Sequence, residues 1–171
     1  IDGPADLNSS GQKEWYYFDQ SGKPKCGNEN SYAVEKIQDS YYVFDMYGVA
    51  QYGLIEVDGD FYYCGGPDGN RKCITGRTML NDGAARSQYY FDLKGKGITG
   101  IKDGAFYYKG RLQKADSSAR YEVFDIPGEG KRLVNSSGKI MKNTKVTDGN
   151  DQKWVLGSGG KILTYGSDEV A

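Results

Sequence analysis

The sequence predicts an all-β fold, a solenoid of stacked β-hairpin repeats, and three observations carry that reading. An aromatic motif recurs along the whole chain, Asp-Gly pairs stand between short β-prone runs, and no segment shows a helical period. Glycine supplies 25 of the 171 residues, about twice its usual ~7% share. Aliphatic side chains are sparse, but 15 Tyr and 2 Trp supply apolar area, and the net charge of −1 removes the self-repulsion typical of disordered chains. The chain is expected to fold.

Three runs set the frame: Trp15-Tyr16-Tyr17-Phe18-Asp19, Tyr41-Tyr42-Val43-Phe44-Asp45 and Gln88-Tyr89-Tyr90-Phe91-Asp92. Each reaches a Gly at a fixed step (Gly22, Gly48, Gly95) and a second one shortly after (Gly27, Gly53, Gly100). Self-similarity at a fixed period is the signature of a repeat architecture. A lone hairpin is marginal in water, so stacked neighbours must complete the core.

The single array reads as about seven degenerate repeats, approximately 1–27, 28–53, 54–76, 77–100, 101–116, 117–143 and 144–166. The first two carry the motif intact. In the third, Leu54-Ile55-Glu56-Val57 and Asp58-Gly59 lead into Phe61-Tyr62-Tyr63-Cys64 and a lengthened turn to Gly76. Asp-Gly between β-prone runs signals a type I′ hairpin turn, whose two central residues need positive φ. Asn81-Asp82-Gly83 stands in a longer loop ahead of the fourth run. The fifth repeat has Asp103-Gly104 before Phe106-Tyr107-Tyr108 and a shortened turn, with Lys109 breaking the apolar column. Phe124-Asp125 reads as the first strand of the sixth repeat, whose second run is Arg132-Leu133-Val134-Asn135. In the seventh, Lys145-Val146-Thr147 and Asp148-Gly149 precede Trp154-Val155-Leu156-Gly157. The polar tail from Gly166 to Glu169 closes the array or frays.

Residues alternate faces along a strand. The column Phe18, Phe44, Phe91, Val134 and Leu156, with Cys64 as a small substitute, stays apolar and reads as core. The column Trp15, Tyr41, Phe61, Gln88, Phe106, Lys131 and Lys153 tolerates charge and reads as partly exposed. Exposed rings offer flat apolar faces to pyranose C–H groups, while Tyr hydroxyls and nearby Asp or Asn supply hydrogen bonds. The carbohydrate-contact candidates are Trp15, Tyr41, Phe61 and Phe106, with Tyr17, Tyr63 and Tyr108 on the same strand faces.

Composition excludes much else. Without His, Ser–His and Cys–His nucleophile systems and His-ligated zinc are impossible. A near-neutral balance with no basic block argues against nucleic acid. No apolar run approaches the ~20 residues of a membrane span, so no membrane insertion is expected. No signal-peptide-like apolar region opens the sequence, which as given reads as soluble. No base, metal or oriented nucleophile emerges, so neither enzyme activity nor a cofactor is expected. Asp58-Gly59-Asp60 and Asp148-Gly149-Asn150-Asp151 lack EF-hand spacing, and hairpin-turn chemistry accounts for both, so no metal site is expected. Cys64 and Cys73 flank a Gly- and Pro-rich loop and read equally well as a disulfide or as small buried thiols.

These repeats resemble the cell-wall-binding, or choline-binding, repeats of Gram-positive surface proteins. Their pattern is Gly-Trp, a polar turn with Gly, then Trp-Tyr-Tyr-Phe/Leu-Asn/Asp-x-x-Gly-x-Met-x-x-Gly. They are similar as well to the receptor-binding repeats of large clostridial toxins and the glucan-binding repeats of streptococcal glucosyltransferases. The resemblance covers residues 5 to 166 and is most specific at Phe18-Asp19, Phe44-Asp45 and Phe91-Asp92 with their double Gly. It implies a non-catalytic module, secreted or at the cell surface, that holds its protein on cell-wall or glucan polysaccharide. One departure matters. Choline-binding members usually place a cage Trp after the second Gly, whereas Asn28, Leu54, Arg77 and Ile101 stand there in this sequence. Cation–π attraction needs aromatic walls, so free choline is expected to bind weakly or not at all. The alternative function is a structural stalk or adhesin segment that binds a host or surface protein.

Overall fold

The structure, a computed structural model, describes residues 4–7, 13–66, 68–83, 85–165 and 168–169. Short antiparallel hairpins dominate it, and among the described residues the one helical element is a three-residue 3-10 turn at Ser158–Gly160. The chain divides into two compact units, residues 1–86 with 90–97 and residues 87–89 with 98–171.

In the first unit, β1 (Pro4–Leu7) pairs with β2 (Lys13–Trp15), β3 (Ala33–Ile37) with β4 (Ser40–Phe44), and β5 (Leu54–Val57) with β6 (Asp60–Tyr63). The strands β7 (Gly76–Asn81) and β8 (Arg86–Phe91) follow, and the division between the units passes through β8. At the β5–β6 turn Asp58 and Gly59 have φ of 51° and 83°, as a type I′ turn requires. Asp82 closes a wider turn, its backbone N–H donating to the Ala85 carbonyl and its carboxylate accepting the Ala85 N–H.

One side-chain device recurs after the strands. Asp19 Oδ1 accepts the backbone N–H groups of Ser21 and Lys23, Asp45 Oδ1 those of Tyr47 and Val49, and Asp92 Oδ1 those of Lys94 and Lys96. An Asx side chain that satisfies local donors replaces a strand partner and reverses the chain. The return segment then hydrogen-bonds to the preceding hairpin: Ala50 N–H to Trp15 O at 2.8 Å, Cys73 N–H to Tyr41 O at 2.8 Å, and Gly97 N–H to Phe61 O at 2.7 Å. Close approach demands glycine at one of these seams. Gly95 has φ of 80°, and a Cβ there would lie 3.0 Å from Cys73 Cβ.

Each core cluster of this unit forms between consecutive hairpins. Trp15 and Tyr17 pack on Ile37, Phe44 and Ala50, while Val34 and Tyr41 pack on a group containing Val43, Ile55, Val57 and Tyr62. Cys64 and Cys73, bonded to each other, complete that second group, whereas Cys26 is free and exposed. Phe44 and Phe91 are each 1% exposed, but Phe18, expected in the same core column, is 37% exposed. Phe44 is covered by the preceding hairpin; among the described residues no earlier hairpin covers Phe18.

In the second unit, β9 (Gly100–Lys102), β10 (Ala105–Tyr108) and β11 (Arg111–Leu112) form an antiparallel sheet, and Arg111 also pairs with Tyr89 of β8. Asp103 and Gly104 form the expected turn, with φ of 52° and 75°. Lys109, expected as a break in the core column, is instead the first residue of a second hairpin turn with Gly110, at φ of 47° and 89°. Lys-Gly here takes the place of the Phe-Asp found in the intact repeats. The strands β12 (Tyr121–Ile126) and β13 (Gly130–Asn135) pair along six residues each, with Phe124 on the first strand as expected. Phe106, Ile126, Val134 and Ile140 form their shared core, and Ile140 N–H donates to Gly104 O at 2.9 Å.

The strands β14 (Thr144–Thr147) and β15 (Lys153–Leu156) pair across a five-residue loop, so the two-residue turn expected at Asp148-Gly149 is not formed. Asp148 instead repeats the Asx device, its Oδ1 accepting the N–H groups of Asn150 and Gln152. The strands β16 (Ile162–Tyr165) and β17 (Asp168–Glu169) complete this sheet. Gly166 and Ser167 of the tail lie outside the described residues.

Candidate functional site

The first unit carries a groove of about 860 Å³, built from three stretches of the chain, within residues 13–16, 45–52 and 68–71. Trp15 and Tyr16 form one wall, at the end of β2, where the Trp15 carbonyl is tied to Ala50. The Asp45 loop forms the second wall. Because Asp45 Oδ1 takes the Tyr47 and Val49 N–H groups at 2.9 Å each, Tyr47 is projected outward and is 75% exposed. Asp45 Oδ2 accepts Gln51 Nε2 at 3.2 Å, and the same amide donates to Val49 O at 2.9 Å. Tyr52 follows at the rim, 48% exposed.

The disulfide loop supplies the third wall. Gly53 N–H donates to Gly65 O at 2.7 Å and Cys64 N–H to Gly53 O at 3.0 Å, which docks this loop beside Tyr52. Inside the loop Arg71 is only 4% exposed, and its guanidinium carbon lies 4.6 Å from the Tyr52 ring centroid. One guanidinium nitrogen donates to Gly66 O at 3.1 Å and Gly69 O at 3.3 Å. Beneath the groove lies a cavity of about 40 Å³, which Trp15, Tyr16, Ala50 and Arg71 also line.

Lys13 and Arg71 face Glu14, Asp45 and Asp68 in the groove, and Glu14 accepts the Tyr16 hydroxyl at 2.8 Å. Flat rings beside hydrogen-bonding groups suit a sugar that stacks on its C–H face. Asp19, on a neighbouring loop of the same unit, has its carboxyl held below the usual range by the Ser21 hydroxyl and by the Lys23 and Ser21 N–H groups.

A second, more open groove of about 850 Å³ lies in the second unit, among Lys131, Arg132, Lys161 and Trp154. Its acid is Asp148, whose Oδ2 accepts the Trp154 indole N–H at 2.9 Å. Burial opposes ionisation of Asp148, but the Trp154, Asn150 and Gln152 donors outweigh it and hold the carboxyl below its ordinary value.

The seven residues singled out from sequence are dispersed. Trp15 lines the aromatic groove, and Tyr17 lines the cavity beneath it. Tyr41 is half-buried against the disulfide cluster, and Phe61 and Tyr63 are half-buried on β6, away from the groove lining. Phe106 is buried in the second unit's core, and Tyr108 is exposed with Lys109 Nζ 5.8 Å from its ring. Sequence reasoning missed Tyr16, Tyr47, Tyr52 and Arg71. A signal existed for two of them, since Tyr47 and Tyr52 immediately precede Gly48 and Gly53 of the double-Gly motif.

No family model matches the chain, and no curated protein matches it. Solved structures do. Choline binding protein F from Streptococcus pneumoniae matches with a TM-score of 0.57 and 25% identity, over 88% of this chain and 44% of that one. CbpF in complex with ipratropium, obtained by soaking, matches with a TM-score of 0.59 and 26% identity, over 92% of this chain and 45% of that one. The Streptococcus pneumoniae protein F structure in the presence of a peptidoglycan analogue, a tetrasaccharide-pentapeptide, gives a TM-score of 0.57 at 22% identity, over 95% and 53%. The chain thus spans about half the length of the solved chains it matches.

Proposed function

We propose that this chain, built of choline-binding-like cell-wall-binding repeats, is a non-catalytic module that attaches a secreted or surface protein to cell-wall or other surface glycans. On this reading the chain carries about seven successive copies of one hairpin unit, stacked as turns of a solenoid within each compact unit. The observation that carries the reading is the groove of the first unit. Trp15, Tyr16, Tyr47 and Tyr52 offer rings beside the Gln51 amide and three carboxylates, a surface suited to a saccharide.

The carboxylates support binding rather than hydrolysis. Glycoside hydrolysis needs one carboxyl as acid and another as base or nucleophile. Asp45 is committed to its own loop through Tyr47, Val49 and Gln51, and Glu14 accepts the Tyr16 hydroxyl. The likeness to choline binding protein F, solved also in the presence of a peptidoglycan analogue, supports a cell-wall polymer as partner, and a surface location goes with such a partner.

The test is retention on insoluble cell wall and on insoluble glucan, for wild type and Trp15→Ala, in low and high salt. Wild type should be retained, and Trp15→Ala should lose about tenfold or more in affinity, the scale of a lost aromatic contact. A neutral polymer has no charges for salt to screen, so high salt should change retention little. Binding that vanishes in high salt, or no retention on either polymer, would overturn the reading.

A further inference from the structure

The aromatic groove already contains a cation. Arg71 is almost wholly buried, and its guanidinium lies over Tyr52 at 4.6 Å, well within the ~6 Å range of cation–π attraction. From this we infer that Arg71 is the specificity-determining residue of the groove: it fills the cation place on Tyr52, so that the groove rejects organic ammonium ions and admits uncharged saccharide. The inference rests on the glycan-binding reading given above.

Three features make Arg71 a fixed occupant rather than a surface side chain that brushes a ring. The carbonyls of Gly66 and Gly69 hold its guanidinium, and Gly69 N–H donates to Gly66 O, so the holder is itself a closed turn. The backbone at Arg71 has φ of 66°, the left-handed region that disfavours a bulky residue and persists only where the surroundings impose it. The Cys64–Cys73 bond closes the loop around it, with a sequence separation of 9.

Charge explains why an occupant is needed. With Arg71 in place, two bases face three acids in the groove. Remove it, and Lys13 alone faces Glu14, Asp45 and Asp68 beside a bare Tyr52 ring, a setting that attracts a cation. A tethered group competes at an effective concentration of millimolar or more, so a free ammonium ion at ordinary concentrations cannot displace Arg71.

Calorimetric titration with tetramethylammonium chloride tests this on wild type, Arg71→Ala and the double variant Arg71→Ala/Tyr52→Ala. The first variant should bind about tenfold or more tightly than wild type, and the double variant should lose that gain. No gain in Arg71→Ala, or a gain that survives loss of Tyr52, overturns the inference. If circular dichroism shows Arg71→Ala to be unfolded, Arg71→Met replaces it, since its unbranched side chain fills much of the buried space without a charge; the same two outcomes decide. Polymer retention, measured on wild type alone, keeps the two readings separate. Retention without an ammonium gain in the variant sinks the role of Arg71 only. An ammonium gain without retention sinks the glycan reading, and with it the saccharide half of the inference, while the exclusion of ammonium by Arg71 stands.

Discussion

The first and second repeats carry the same signature and use it differently. Phe18-Asp19 and Phe44-Asp45 are followed by the same loop, with Oδ1 of each Asp taking N–H groups two and four residues ahead. Yet Phe18 is 37% exposed and Phe44 is 1% exposed. The side chain of Asp needs only its own neighbours to make the turn. The Phe needs another hairpin, and Trp15 and Tyr17 provide it for Phe44. The motif therefore encodes the turn locally, and burial arises from stacking.

The largest expected effect breaks or sustains this contrast directly. Phe44→Ala should cost about 3–5 kcal/mol in urea unfolding, and Phe18→Ala less than about 1 kcal/mol. Equal costs would mean that position in the motif, not the neighbouring hairpin, decides burial. Arrays can unfold in more than one step, so probes local to each repeat are needed.

The turns should behave in the opposite way. Asp92→Ala removes two hydrogen bonds to the Lys94 and Lys96 N–H groups and should cost about 1–2 kcal/mol. Asp19→Ala should lower the unfolding midpoint by a similar step, even though Phe18 and Phe91 differ so much in burial. A much larger effect at Asp92 would show that its loop depends on packing.

The smallest effect separates the two roles within one residue. Asp148 uses Oδ1 for its loop and Oδ2 for the Trp154 indole. Asn135 makes the same loop with Ser137 and Lys139, so an amide is sufficient for the turn. Asp148→Asn should therefore keep the loop, lose the indole acceptor and cost about 1 kcal/mol at neutral pH. The folded carboxyl lies below its ordinary 3.8, so its contribution is present above that value and is lost as pH falls through the lower folded value. Wild-type Trp154 fluorescence should respond to acid below about pH 4, and that response should be missing in the variant.

Much of the fold was legible in the sequence because turn chemistry is local. Asp58-Gly59 and Asp103-Gly104 need positive φ, and nothing distant can relax that demand. Lys109-Gly110 obeys the same rule but was hidden by the expectation that its column stays apolar. Asp148-Gly149 misled for a related reason: Asp also makes the Asx loop, and the choice depends on how far the flanking strands extend. The site was less legible. Trp15 follows from its strand position, but the pairing of Tyr52 with Arg71 joins a double-Gly loop to a disulfide loop, and no periodicity links those two positions.

The Cys64–Cys73 bond has a mechanical consequence. If the chain anchors a protein to a polymer as proposed, it is pulled along its backbone, and a covalent bridge carries the force past the residues it encloses. The nine steps between Cys64 and Cys73 hold about 30 Å of contour that cannot be drawn out while the bond is intact. Arg71 lies within that sheltered length. The part of the groove that decides which ligand enters is thus the part that tension lengthens last, and a reducing agent should add about 30 Å to the extension of a stretched single molecule.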